Sequence, residues 1–214
     1  MKKDLTELVF ILDKSGSMFG LERDTIGGFN SLIEKQKKEP GEAIVSTILF
    51  NHKVEFLHDG KNINEIELLT EDEYVTDGCT ALLDAIGNAI TKVVNKRKTT
   101  LEDTHPEKTV FVITTDGMEN SSTEYSYKKI KEMIKHQQEK YNWEFIFLAA
   151  NIDSEMMADS IGILRENAVS YHCDSEGIEL NYECVSSAIS ELRCNKQMSR
   201  EWRKKIDDDF ENRN

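Results

Sequence analysis

Long hydrophobic runs are absent from this sequence, and so is a recognisable export signal. A membrane-spanning helix needs about 20 consecutive apolar residues, and every apolar stretch here is far shorter. The opening residues Met1-Lys2-Lys3-Asp4 lead into a charged and then strand-like segment, without the pattern of a cleavable signal peptide. We therefore expect a protein that has no membrane span and stays in the cytoplasm.

Positive charge is also scarce. The chain has 27 basic and 40 acidic residues, which gives a formal net charge of −13. Such a surface repels the phosphates of nucleic acids and of anionic lipids, so we expect neither as a ligand. A divalent cation bound to this surface would form a local positive site, to which a carboxylate of a partner protein could bind.

Paired cysteines and phosphate-binding glycine loops are missing as well. No two cysteines have C-x-x-C spacing, the pattern G-x-x-x-x-G-K-[ST] does not occur, and the histidines are scattered. We therefore expect free thiols, and we predict neither a zinc site of cysteine and histidine nor a nucleotide-binding loop. The four cysteines are Cys79, Cys173, Cys184 and Cys194.

The apolar residues that are present follow the periods of an α/β protein. Continuous apolar runs at 8–12, 109–113 and 145–150 are typical of strands buried on both faces of a parallel sheet. Segments 43–50 and 53–58 are too close in sequence for a crossover helix, so we expect an antiparallel hairpin. Amphipathic helical stripes alternate with the strands. We predict a doubly wound, mostly parallel six-stranded sheet with one antiparallel edge strand and helices on both faces.

The composition divides the chain into one domain and a short extension. A hydrophobic content of 38% suffices for a single α/β core, which we assign to residues 1–194. Residues 195–214 are strongly polar, yet an apolar residue recurs at every fourth position, which predicts a helical extension. Its apolar stripe either packs onto the domain or stays exposed for a partner's groove. The stripe consists of Met198, Trp202, Ile206 and Phe210.

Oxygen-bearing side chains follow two of the predicted parallel strands. The first strand ends in Asp13-Lys14-Ser15-Gly16-Ser17, the central strand is followed by Asp116, and Thr80 precedes a predicted helix. Because the carboxyl ends of neighbouring parallel strands open into one crevice, these three segments should meet there. Carboxylate and hydroxyl oxygens suit Mg²⁺ or Mn²⁺, whereas Ca²⁺ would need more oxygen ligands. We predict a metal site formed by Asp13, Ser15, Ser17, Thr80 and Asp116.

This set of residues resembles the metal-ion-dependent adhesion site (MIDAS) of the von Willebrand factor A (vWA) domain family. The family motif has D-x-S-x-S on a first loop, Thr on a second and Asp on a third, and all five positions match here. The resemblance extends over about residues 5–192 as an order of elements and implies a Rossmann-like vWA fold of the bacterial stand-alone type.

The resemblance also implies a role for each site residue. Ser15, Ser17 and Thr80 would bind the metal directly, and Asp13 and Asp116 would bind it directly or through water. An acidic side chain of a partner protein would take the last coordination position. Bacterial A domains of this kind often work beside AAA-type ATPases, so such an ATPase is an expected partner by analogy.

We therefore predict a divalent-metal-dependent protein-binding module and not an enzyme. A Mg²⁺-dependent phosphohydrolase with a D-x-D pair is one alternative, but it would need an acid where Ser15 stands, and Lys14 is a weak general base. A scaffold subunit whose metal only holds the loops together is another. The simplest alternative is a turn in which Asp13 and the serines bond to nearby backbone N–H groups.

Three further residues lie next to the predicted site in the sequence. Asn151 and Asp153 follow the strand at 145–150 and either shape the partner surface or cap the helix that begins near Ser154. Cys79 directly precedes Thr80, so this thiol either has a part at the site or is an exposed loop thiol without a role.

Overall fold

The computed structural model describes residues 1–194 and 198–213, apart from the side chain of Arg200. Residues 195–197, where the predicted extension begins, and residue 214 lie outside the described residues. The strands are β1 (Lys2–Asp13), β2 (Glu42–Phe50), β3 (Val54–Asn62), β4 (Pro106–Thr115), β5 (Glu144–Ala149) and β6 (Ala168–Ser170). The α-helices are α1 (Glu22–Gln36), α2 (Leu82–Thr99), α3 (Tyr127–Tyr141), α4 (Ser154–Ile161), α5 (Ser175–Arg193) and α6 (Lys204–Asn212).

The six strands of the described chain form one sheet in the order β3-β2-β1-β4-β5-β6. All neighbouring strands are parallel except β3, which pairs antiparallel with β2 at the edge. The predicted fold class is therefore confirmed, including the antiparallel hairpin. The strand order reverses between β1 and β4, and in doubly wound sheets the crevice at this switch point is where ligands bind.

Strand β1 shows why the sheet is covered by helices on both faces. Successive side chains of a strand point to opposite faces. Leu8, Phe10 and Leu12 belong to the core that includes apolar residues of α1 and α5, while Val9 and Ile11 belong to the core beneath α2, α3 and α4. All five side chains are fully buried. The continuous apolar run of β1 therefore serves two cores, as expected for a central parallel strand.

Three strands, β1, β3 and β4, extend beyond the predicted boundaries, and β4 runs from Pro106 to Thr115 rather than from 109 to 113. Strand β1 begins at Lys2 rather than near residue 8, and its first residue donates a backbone hydrogen bond of 2.7 Å to the carbonyl of His105. Strand β3 continues to Asn62 rather than ending at residue 58, because it remains paired with β2 as far as Ile44. The extensions of β1 and β3 consist mostly of polar residues that are held by backbone pairing, which hydrophobic periodicity does not detect.

The apolar stripe near the carboxyl terminus packs onto the domain. Trp202 and Ile206 are buried in the same core as α1 and α5, and Met198 packs against that core. The Phe210 ring stacks on His172 with 4.8 Å between the ring centroids. Of the two alternatives that the sequence left open, the structure supports the packed stripe. No helix among the described residues is long and apolar enough to cross a membrane.

Candidate metal centre

The candidate site lies at the carboxyl ends of β1 and β4, where the strand order reverses. Asp13 is the last residue of β1, and Asp116 directly follows β4. The parallel register pairs Leu12 with Thr114, so the residues that follow each of them emerge side by side. The topology alone therefore brings two carboxylates from distant parts of the sequence to one end of the sheet.

Asp13 is fixed in place by hydrogen bonds to both of its carboxylate oxygens. Its Oδ1 accepts the backbone N–H of Ser15 at 2.7 Å, and its Oδ2 accepts the Thr115 hydroxyl at 2.6 Å. Its backbone carbonyl accepts the hydroxyl of the buried Tyr74. With 1% of its surface exposed, this side chain has no freedom to turn away from the site.

Two hydroxyls connect the first loop to the third. The Oγ atoms of Ser15 and Ser17 are 3.1 Å apart, and Ser17 Oγ donates a hydrogen bond of 2.5 Å to Asp116 Oδ1. Ser15 is buried, whereas Ser17 is exposed to solvent. The site therefore has a buried floor and opens outwards at Ser17.

The second loop brings Thr80 to the same place. Thr80 and Asn120 are joined by two hydrogen bonds, from the Thr80 N–H to Asn120 Oδ1 at 2.9 Å and from the Asn120 N–H to the Thr80 carbonyl at 3.0 Å. A Cβ atom added to Gly117 would lie 3.4 Å from Ser17 Oγ and 3.6 Å from Thr80 Oγ1. Both hydroxyls therefore lie beside Gly117, within van der Waals contact of a Cβ atom at this position.

Glycine is required where the second loop passes the first. Gly78 has a φ of +74°, and a Cβ atom here would lie 2.2 Å from Nδ1 of His52. The Gly78 carbonyl accepts the Gly16 N–H at 3.0 Å, which joins this loop to the D-x-S-x-S segment. Any other residue would be strained in this conformation and would also displace the His52 ring.

The third loop is supported from β5 and from the segment after β6. Asn151 adopts a left-handed conformation, with a φ of +59°, and its side-chain amide donates a hydrogen bond of 3.1 Å to the carbonyl of Asp116. The thiol of Cys173 lies 3.8 Å from Asp116 Oδ2. Asp116 is 2% exposed, so its carboxylate, like that of Asp13, is almost fully removed from water.

Neither carboxylate has a basic partner among the residues that the structure describes. Burial raises the pKa of Asp13 to about 6 and also raises the pKa of Asp116, because a low-dielectric environment disfavours the charged form. Among the described residues no Lys or Arg forms an ion pair with either carboxylate. Lys14, the nearest in sequence, instead pairs with Glu55 at 3.0 Å. The site is therefore a concentration of buried acid that a cation would stabilise.

The donor set is dominated by oxygen. In the described part of the chain, no group of three or more His, Cys, Asp or Glu side chains is placed to hold a metal ion. A metal at this site would therefore depend on the three hydroxyls as well as on the two carboxylates. That combination fits a hard cation such as Mg²⁺ or Mn²⁺.

The structure brings the five predicted residues close together, and it also contains parts of the alternatives that the sequence left open. Asp13 does bond to the Ser15 N–H as in a simple turn, but the same carboxylate also reaches Thr115 on β4. Asp153 caps α4 through a 2.9 Å bond to the Met156 N–H, so its capping role is confirmed. Asn151 instead supports Asp116.

Sequence reasoning missed four residues that hold the site together. The parallel register could have identified Thr115, since it lies beside the end of β1 and belongs to the segment that carries Asp116. No sequence signal pointed to the other three, because each reaches the site through an irregular loop. They are Tyr74, Asn120 and Cys173.

No protein-family model matches this sequence, and no curated protein sequence is detectably similar to it. Solved structures do match. Proximal thread matrix protein 1 from the mussel byssus, in a structure with a zinc-occupied MIDAS motif, has a TM-score of 0.60 at 13% identity; the match covers 86% of this chain and 46% of that one. A D319A mutant of the PilB minor pilin from Streptococcus sanguinis has a TM-score of 0.58 at 12% identity, over 87% of this chain and 62% of that one.

A third solved structure that matches is named as a vWA structure. A von Willebrand factor type A structure from Catenulispora acidiphila has a TM-score of 0.53 at 11% identity, over 86% of this chain and 42% of that one. This chain has the vWA fold. It spans about half the length of the mussel protein that it matches. At these identities the likeness shows the fold alone, and the function has to be argued from the site.

Proposed function

We propose that this protein is a divalent-metal-dependent protein-binding module that recognises an acidic residue of a partner protein. The observation that carries the proposal is the meeting of two buried carboxylates and three hydroxyls at the switch point of the sheet, with no basic side chain of the described chain paired to either acid. A solved structure of the same fold with zinc in its MIDAS motif supports the view that this fold can hold a divalent metal here.

Each residue of the site has a distinct part in this proposal. Ser15, Ser17 and Thr80 offer neutral oxygens, and Asp13 and Asp116 provide two negative charges that balance a divalent cation. When bound, the cation supplies an electrophilic centre to which an external carboxylate can attach. Ser17 is exposed and Gly117 has no side chain, so the chain itself leaves an approach to the site from solvent.

Mg²⁺ is our first choice of metal, with Mn²⁺ next and Ca²⁺ less suited. The three hydroxyls and two carboxylates are hard ligands, and none of the predicted ligands is a nitrogen or a sulfur. The mussel structure with zinc in its MIDAS makes Zn²⁺ a competitor that should be measured as well. The Cys173 thiol, 3.8 Å from Asp116 Oδ2, is a soft group close to the predicted ligands.

We propose a binding function rather than catalysis because the groups that a hydrolase needs are committed elsewhere. Lys14, the weak candidate for a general base, is 6% exposed and pairs with Glu55 on β3. The position of the second acid in a D-x-D pair is taken by Ser15, whose hydroxyl lies against that of Ser17. Cytoplasmic location and an AAA-type ATPase partner remain predictions from the sequence.

Calorimetric titration of Mg²⁺ tests the site. We expect one binding site per chain in the unaltered protein and none in Asp13→Ala. Asp72→Ala, which removes the same charge from an exposed position, should bind Mg²⁺ like the unaltered protein. Equal binding by the unaltered protein and by Asp13→Ala would refute the assigned ligands.

A second titration separates a binding module from a scaffold with a purely structural metal. Peptides that contain a single Glu or Asp should bind in the presence of Mg²⁺ and dissociate when EDTA is added. A structural metal would stabilise the fold by mass action and leave these peptides unbound. Mg²⁺-dependent hydrolysis of simple phosphate esters that Asp13→Asn abolishes would instead establish the enzyme alternative.

A further inference from the structure

A methionine-lined cavity lies directly beside the third loop of the candidate metal centre. Its volume is about 390 Å³, and its apolar lining is formed by Met118, Tyr127, Ile152, Met156 and Met157. It lies between the loop that follows β4 and the loop that leads from β5 into α4. Both loops are at the carboxyl end of the sheet, on the same rim as Asp13 and Asp116.

Several large apolar side chains of the cavity wall are exposed to solvent. Met118 is 71% exposed, Met156 is 67% exposed and Tyr127 is 40% exposed. Large apolar side chains that are exposed together around one concave surface are typical of a binding site. Methionine is unbranched and polarizable, so such a wall can adapt to apolar side chains of different shape.

The acidic groups of this cavity are largely occupied by the chain's own backbone. Glu119 accepts the N–H groups of Ser121 and Ser122 through Oε1 and that of Leu83 through Oε2. Asp153 accepts the N–H of Met156. These carboxylates would repel an acidic side chain, so the acid of a partner is directed to the cation and an uncharged apolar side chain to the cavity.

The cavity and the metal centre share structural elements. Met118 is two residues from Asp116, so their Cα atoms are at most about 7 Å apart. Asn151 lines the cavity and donates its amide hydrogen bond to the Asp116 carbonyl at 3.1 Å. An extended partner segment that reaches the metal centre with one side chain and runs towards α4 would reach the cavity within one or two residues, because an extended chain advances about 3.3 Å per residue.

We propose that this cavity is a second recognition site, which binds a large apolar side chain located within two residues of the partner's acidic residue. The proposal rests on the proposed function of the metal centre and makes it more specific. The recognised element is an extended acidic and apolar segment of a partner protein. The metal centre would select the carboxylate, and the cavity would select Met, Leu or Phe beside it.

An array of synthetic peptides tests this directly. Each peptide carries one Glu, and each of the three positions on either side of it is varied through all amino acids. In Mg²⁺ we expect Glu-dependent binding that rises about tenfold when Met, Leu or Phe occupies one position within two residues of the Glu. Binding without such a preference, or a preference for Lys or Arg there, would overturn the cavity proposal.

Two variants locate the preference on the protein. Met118→Asn/Met156→Asn makes two exposed side chains polar without adding charge, so the fold should persist, and we expect it to retain Mg²⁺-dependent binding of Glu peptides without the apolar preference. Leu101→Asn changes a side chain that is 73% exposed at the opposite end of the sheet and should keep the preference. A preference that survives in the double methionine variant contradicts the assignment.

The same array distinguishes the two proposals. Absence of Mg²⁺-dependent binding for every acidic peptide would contradict the metal-centre function, and the cavity proposal would fall with it. Glu-dependent binding that does not vary with the neighbouring side chains would contradict the cavity proposal alone.

NMR of ¹³C-methyl methionine locates the apolar side chain of the strongest peptide. Its addition should shift the signals of Met118, Met156 and Met157 and leave those of Met1 and Met133 unchanged. The reverse pattern would place the apolar side chain elsewhere.

Discussion

Strand β1 contains two buried acidic residues, which differ in whether the chain places a cation beside them. Glu7, in the first half of the strand, is 3% exposed and pairs with Arg97 through a 3.1 Å contact. Asp13, at the end of the strand, is 1% exposed and accepts hydrogen bonds from neutral groups only. A buried carboxylate needs a compensating charge. At Glu7 the chain provides one, whereas at Asp13 and Asp116 we infer that the compensating charge comes from outside.

The comparison separates an acid that is paired within the fold from an acid that has no cation beside it in the described chain. Burial raises the pKa of Glu7 although Arg97 opposes the shift, and burial raises the pKa of Asp13 to about 6 with no cation to oppose it. The ion pair between Glu7 and Arg97 has two further contacts. The Thr109 hydroxyl donates a hydrogen bond to Glu7, and Arg97 Cζ lies 4.9 Å from the centroid of the Trp143 ring. The Asp13 site remains open at Ser17. Glu7 is thus enclosed together with its cation, whereas the site of Asp13, to which we propose that a metal binds, can be reached from solvent at Ser17.

Removing Arg97 should have the largest effect. Arg97→Ala leaves Glu7 buried without its cation, so we expect the free energy of unfolding to fall by about 3 kcal/mol in urea denaturation. Glu7→Gln/Arg97→Ala should recover part of this loss, because the amide carries no charge. Without Arg97 the pKa of Glu7 rises further, so the neutral form of Glu7 is favoured in the folded state. The loss of unfolding free energy relative to the unaltered protein should therefore become smaller as the pH is lowered. A double variant no more stable than Arg97→Ala would contradict the assignment.

Adding Mg²⁺ should stabilise the other end of β1. At a free concentration of 100 times its dissociation constant, a ligand that binds only the folded state adds about 2.7 kcal/mol to the free energy of unfolding. We expect this increment in the unaltered protein and in Arg97→Ala, and we expect it to vanish in Asp116→Asn. Urea denaturation in Mg²⁺ and in EDTA measures it. An increment that persists in Asp116→Asn would place the cation elsewhere.

The contact between the first and second loops can be tested with two glycines. Gly20 and Gly78 both have positive φ angles, of +90° and +74°, but only Gly78 has a neighbour that an added Cβ would meet. We expect Gly78→Ala to cost about 2 kcal/mol more than Gly20→Ala because of the clash with His52, and to weaken Mg²⁺ binding.

A second change checks that the clash is the cause. Removing the ring in Gly78→Ala/His52→Ala should recover most of the additional cost. Equal losses for Gly20→Ala and Gly78→Ala would show that the loops do not meet as the structure indicates. Unfolding by urea, followed by titration of Mg²⁺ into each variant, measures both effects.

The thiol beside Asp116 should have the smallest effect. Cys173→Ser exchanges a weak hydrogen-bonding group for a stronger one, so we expect the Mg²⁺ dissociation constant to change by less than about threefold. Burial, followed by the nearby Asp116, raises the pKa of this thiol to about 12, so it is neutral near pH 7. A large loss of Mg²⁺ binding in this variant would mean that sulfur belongs to the coordination sphere. Parallel titrations with Zn²⁺ show whether sulfur matters for a softer metal.

The fold was predictable because its signals are local. The apolar run from Leu8 to Leu12 reports burial on both faces, and the short gap between β2 and β3 excludes a parallel pair. The ends of the elements were less accessible, since the polar start of β1 is held by pairing to a strand about a hundred residues away. Periodicity reports where side chains are buried, and strand ends depend on backbone partners.

The candidate site was predictable only as far as local motifs and strand topology determine it. Asp13, Ser15 and Ser17 share a motif at a strand end, and topology brings Asp116 to them. The residues that orient this set were not predictable, because Tyr74 and Asn120 reach it by hydrogen bonds across irregular loops. The cavity beside Met118 was missed for a related reason. The cavity is lined by two loops that are joined by the hydrogen bond from Asn151 to the Asp116 carbonyl. Neither loop has a hydrophobic periodicity from which its position could have been predicted.

The most direct test of the account is the position of a cation in a crystal grown with Mn²⁺, located by its anomalous scattering. The account predicts one peak at roughly 2–2.3 Å from the hydroxyl oxygens of Ser15, Ser17 and Thr80, with the carboxylates of Asp13 and Asp116 beside it, directly or through water. It also predicts a coordination position that faces solvent. A map without a peak at this place, or with a peak whose coordination sphere is completed by the chain's own groups, would contradict it.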